Sequence, residues 1–124
     1  MDSTLIWVHI IVAITVILPA VLMQFVNLDK PNHFLGYRTP ASMKSKESWK
    51  FANRLAAKLV LWGTGITLTV QIFTVFALSN TASILITCGF LTVSYISILA
   101  LVESQLVKRF DKEGKPKLGY SRFD

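Results

Sequence analysis

The chain has 124 residues, enough for one domain. Hydrophobic residues make up 52% and charged residues 16%, against about a quarter charged in a soluble domain. The charge is missing in blocks rather than diluted, which excludes a water-soluble helical bundle, because each of its helices would need a polar face at helical spacing. The net charge of +6 is not interleaved with any nucleic-acid recognition module, so nucleic acid is not an expected partner.

Taken in chain order, the first charge-free block runs from Ser3 to Leu28. A spanning helix needs about 20 apolar residues to cross a ~30 Å core, and the block predicts a span over about 4–27. Only Asp2 precedes it and the run is too long for an h-region, so a cleaved signal peptide fits poorly. Pro19 predicts a kink, with Thr15 one turn earlier as the residue that relieves the missing hydrogen bond. His9, Ala13, Val16, Ala20, Gln24 and Asn27 fall on one face. His9 is close to the outer end and reads as an interfacial histidine.

A loop over 28–56 follows. Pro31-Asn32 begins a turn, and Gly36 suits a positive φ. Thr39-Pro40 reads as an N-cap followed by proline at the first helical position. From about Ser45 the pattern turns helical, with Trp49, Ala52, Ala56 and Leu59 on one face and Lys46, Lys50, Arg54 and Lys58 on another. This predicts an amphipathic helix leading into span two, with Trp49 anchored at the headgroup level. Arg38 sits between Gly36-Tyr37 and Thr39-Pro40, where a guanidinium suits a carboxylate or phosphate. Glu103 is its candidate internal partner, and Asn53 a further hydrogen-bonding group.

The second charge-free block, Leu59 to Val102, is long enough for two spans if Ser79-Asn80-Thr81 turns the chain. Spans are predicted over about 57–78 and 82–105, with a tail over 106–124. Gly63, Thr67, Gln71 and Thr74 mark the inner face of span two. Thr87, Phe90, Ser94, Ser97, Leu101 and Ser104 mark that of span three. The lone Cys88 reads as a packing residue. In the tail, Lys112 to Lys117 read as mobile.

All 13 lysines and arginines lie in the middle loop, at the start of span two (Lys58) or in the tail. The positive-inside rule then places the loop and the tail in the cytoplasm and the N-terminus outside, as an odd number of spans requires. The predicted fold is all-α: an integral membrane three-helix bundle, multi-pass. Asp29, Glu47 and Glu103 are the only carboxylates from the first span to the end of the third, and no triad or metal spacing emerges. No cofactor and no enzymatic activity are therefore expected, unless the fold gathers Arg38, Glu47, Asn53 and Glu103 around one pocket. Expected partners are anionic lipid headgroups, a soluble cytoplasmic partner, and a second copy of the chain.

Asn32, Gly36-Tyr37-Arg38-Thr39-Pro40, Trp49 and Ala52-Asn53-Arg54 together resemble the hallmark of the SdpI family of bacterial membrane proteins, in its short three-helix form. The sequence departs from many relatives at Ala56-Ala57, where they carry a glycine. The resemblance implies a bacterial inner membrane and makes these motif residues candidates for binding a ligand, while the residues themselves read Arg38, Asn53 and Glu103 first as ties between the loop and the bundle and second as a ligand site. Through the best-known member, it also implies immunity against a secreted killing peptide, or signalling by holding a repressor at the membrane.

Overall fold

A computed structural model describes residues 3–31 and 34–117, and the statements below concern those residues. They form three α-helices: α1 (Ser3–Met23), α2 (Lys46–Ala77) and α3 (Asn80–Arg109). Each is long and apolar enough to cross a membrane. The helices alternate in direction. His9 meets Gln71 and Gln24 meets Ala57 across α1 and α2, while Thr74 meets Ser83 across α2 and α3. This order brings every described lysine and arginine to one end of the bundle. Central to the bundle is α2, which packs on both neighbours, while α1 and α3 touch each other little.

The bundle is apolar outside and polar within. Ile11, Trp62, Phe73, Phe76 and Ile96 are exposed, whereas His9, Thr67, Gln71, Thr74, Ser83 and Thr87 are buried. Water would drive the reverse arrangement. Lipid offers no hydrogen bonds, so polar groups turn toward neighbouring helices or their own backbone. Thr67 and Thr74 donate to the carbonyls of Gly63 and Val70, one turn back. At the basic end the core is Ala52 and Ala56 of α2 against Val102 and Leu106 of α3. The two alanines let the helix backbones approach closely, so that Met23, Tyr37, Leu55, Ile98 and Phe110 close around them.

Several local expectations are corrected. His9 faces the bundle interior: it is 8% exposed, and its carbonyl accepts a hydrogen bond from Gln71 Nε2 at 3.0 Å. Thr15 does not relieve Pro19. Its hydroxyl bonds to the carbonyl of Ile11, and α1 continues through the proline. A hydroxyl from α2 reaches the neighbouring carbonyl, Thr64 Oγ1 donating to Val16 O at 3.3 Å. Thr39-Pro40 does not start the helix. Thr39 opens a single turn closed by Met43 N–H to Thr39 O, and Ser45 is the N-cap of α2, in a reciprocal capping box with Ser48. The face of span three is right at Thr87 but leaves the interior further on. Ser97, Leu101 and Ser104 are exposed, while Val102 and Leu106 are buried. The true stripe advances mainly in four-residue steps, where alternating threes and fours had been expected.

The break between α2 and α3 falls at Leu78-Ser79, with Ser79 capping α3 through Ala82 N–H. Cys88 is exposed on the apolar surface of α3. The tail is a tight return rather than a mobile segment up to Lys117. Phe110 pairs with Pro116, Lys117 N–H donates to Arg109 O, and Asp111 Oδ1 accepts from the N–H groups of Glu113 and Lys115. Gly114 forms the tip at φ +80° and is buried against Lys44 and Ser45, whose hydroxyl donates to the Gly114 carbonyl. A Cβ there would approach both neighbouring Cβ atoms to 2.8 Å.

Candidate functional site

The segment after α1 folds back over the first turns of α2 and is held by Asn53. Its side chain is fully buried and grips both the N–H and the carbonyl of one loop residue, Tyr37. Oδ1 accepts from Tyr37 N–H at 2.6 Å, while Nδ2 donates to Tyr37 O at 3.3 Å and to Trp49 O at 3.0 Å. One amide thus satisfies the loop backbone as a neighbouring strand would. Such an approach requires glycine at the preceding position. Gly36 has φ +111°, and a Cβ on it would lie 2.5 Å from Asn53 Oδ1.

Trp49 lies beside this grip, fully buried, its indole N–H donating to Asn27 O at 2.8 Å. It is a core residue joining α2 to the end of the α1 segment, not a headgroup anchor. The rest of the loop is pinned by hydroxyls. Buried Ser42 Oγ accepts from Thr39 N–H and faces the carbonyls of Tyr37 and Thr39, while Ser48 Oγ donates to Ser42 O.

Tyr37 carries the loop across to α3. Its hydroxyl donates to Glu103 Oε1 at 2.8 Å and lies 3.4 Å from Leu99 O. Burial, then the hydrogen bond to Glu103 and its negative charge, push the phenol well above its ordinary range, outweighing a smaller opposite effect of Thr39. The neutral phenol is therefore favoured in the folded state. Its contribution to stability is complete below the unfolded pKa of about 10 and is lost as pH rises through the higher folded value. Thermal unfolding in detergent micelles should show this as a loss between pH 9 and 12 that is larger in wild type than in Tyr37→Phe. At pH 7 the phenylalanine variant should be less stable by about 1–2 kcal/mol. Equal pH dependence in the two proteins would show that this bond does not couple the loop to α3.

The expected partnership of Arg38 with Glu103 is corrected, since the loop residue that reaches Glu103 is Tyr37. Arg38, one residue further along, is exposed, as are Pro40 and Arg54. Asn32 lies outside the described residues. Arg38, Glu47, Asn53 and Glu103 do not share a pocket. Asn53 is sealed under the loop, Glu103 is bonded to Tyr37, and Glu47 lines a groove on the other side of α2. Ser42, Ser45, Ser48, Asn27 and Gly114 were not anticipated as parts of the clasp. The spacing of three in Thr39–Ser42 and in Ser45–Ser48 is the readable signal for the hydroxyl turns. Nothing local marks Asn27 or Gly114.

Three spanning helices with a backbone loop clamped across one end define a multi-pass helical membrane protein whose distinctive feature is that clasp. The SdpI/YfhL protein family matches residues 29–102, more than half of the chain and the stretch that carries Gly36, Tyr37, Trp49 and Asn53, and the chain belongs to this family. No curated protein and no solved structure gives a significant match.

Proposed function

We propose that the chain is a non-enzymatic immunity or signalling protein of the SdpI type. In this reading it sits in a bacterial inner membrane with its N-terminus outside and its basic end in the cytoplasm. The observation that carries the reading is how the motif residues divide. Gly36, Tyr37, Trp49 and Asn53 hold the loop to the bundle, and this fixes the backbone that carries the exposed Arg38 side chain. A fixed backbone lowers the entropy lost when a guanidinium engages a carboxylate on a peptide or a regulator.

The test is expression in a bacterium sensitive to membrane-active killing peptides. Wild-type protein should raise survival against at least one peptide. Arg38→Ala should lose most of the gain at equal membrane abundance, and Arg38→Lys should retain part, since lysine keeps the charge without the planar fork. No gain for any peptide, with the protein confirmed in the membrane, would overturn the proposal. A second reading, an assembly module that binds anionic lipid or a cytoplasmic partner through the basic face, is favoured by the cation-lined groove between α2 and α3.

A further inference from the structure

On the side of α2 away from the clasp, a groove of about 770 Å³ opens between α2 and the end of α3. Lys46, Lys50, Arg54 and Lys58 follow one another at four-residue intervals along its α2 wall. Arg109 enters from α3, its guanidinium stacked 4.8 Å from the Phe51 ring centroid and its Nε directed at Gln105 Oε1. Against these five cations the lining carries two carboxylates, Asp29 and Glu47. The groove is also amphipathic along its length. Leu55, Leu59 and Leu101 line it where the charge-free part of the chain begins.

We infer that this groove is a binding site for one anionic phospholipid. The phosphate lies among Lys50, Arg54 and Arg109, and an acyl chain runs along Leu55, Leu59 and Leu101. Three observations support a lipid. The excess of cations selects a negative headgroup. The apolar floor has no counterpart in a site for a free anion. Lys58 is the last cation of the α2 wall and the chain is charge-free from Leu59, the pattern expected of a helix passing from headgroup to hydrocarbon. The volume lies in the range of ordinary ligand pockets, large enough for a headgroup and the first part of a chain. The site is separate from the Tyr37–Asn53 clasp and does not rest on the immunity reading.

Native mass spectrometry of the full chain, released from detergent with added phosphatidylglycerol or phosphatidylcholine, tests this. Wild type should retain one phosphatidylglycerol in clear preference to phosphatidylcholine. The double variant Lys50→Gln/Arg54→Gln should lose retention by roughly tenfold or more, while Lys112→Gln/Lys115→Gln, which removes as much charge from the tail turn, should retain it. Leu59→Trp keeps every cation but fills the apolar floor, and should also lose the lipid. Helical melting curves matching wild type confirm that each variant is folded. Equal retention of the two lipids, equal loss in the tail variant, or full retention in Leu59→Trp would each overturn the inference. Displacement of the lipid by millimolar inorganic phosphate would also overturn it, assigning the cations to a free anion.

Discussion

Trp49→Ala should destabilise the protein by about 3–5 kcal/mol, the usual cost of deleting a fully buried large aromatic side chain. The indole has no exposed surface, and it contacts the loop at the position where a Gly36 Cβ would stand. It also carries the N–H that satisfies Asn27 O. Trp49→Phe separates the two contributions. It keeps most of the volume and should cost only about 1–2 kcal/mol for the lost hydrogen bond and the smaller ring. Unfolding in mixed micelles gives both values, and limited proteolysis reports the loop. Cleavage between α1 and α2 should rise steeply in the alanine variant before the helices melt, because the clasp opens while the spans remain in lipid. Equal costs for alanine and phenylalanine would mean that the packing around Trp49 adds little.

Gly36→Ala should cost roughly 3 kcal/mol or more, which is severe for the addition of one methyl group. Two effects act together. A residue with a Cβ pays about 1–3 kcal/mol to hold an unusual positive φ, and the new carbon would sit 2.5 Å from Asn53 Oδ1, inside van der Waals contact. Relief requires Asn53 to withdraw from Tyr37 N–H, leaving that buried donor without its acceptor at a further cost of about 1–3 kcal/mol. A double-mutant cycle makes the account testable. Asn53→Ala removes the atom that the methyl strikes, so Gly36→Ala/Asn53→Ala should be less destabilised than the sum of the single variants, by about 1 kcal/mol or more. Strict additivity would show that backbone strain alone explains the glycine. Survival assays on the same variants bear on the proposed function: if loop order supports protection, both single variants should lose it although Arg38 is unchanged.

What could be read in advance differs by element for physical reasons. The spans were legible because a bilayer imposes the same requirement on every residue of a segment, so the blocks Ser3–Leu28 and Leu59–Val102 speak without knowledge of neighbours. Gly36 was legible because only glycine is at ease at positive φ. Trp49 was misjudged because a tryptophan at the end of a span has two homes, the headgroup layer and the core. The choice depends on whether a loop covers it, which no local pattern states. The inward orientation of His9 depends likewise on a distant residue, Gln71, which reaches its carbonyl. Arg38 and Tyr37 are adjacent, and the stronger charge drew attention to the arginine, while the phenol is the group directed at Glu103.

The sequence by itself determined that the protein belongs in a membrane, that three helices cross it, that charge gathers at one end, and which family the motif belongs to. These follow from solvent preference and charge, which act on each residue independently of the fold. Only the tertiary structure decided what the motif does. Asn53 clamps the N–H and carbonyl of Tyr37, Tyr37 ties the loop to α3, Arg38 is left exposed, and Arg109 joins the α2 cations around one groove. Those outcomes depend on hydrogen bonds and side-chain packing between segments distant in the chain, whose geometry exists only once the helices have met.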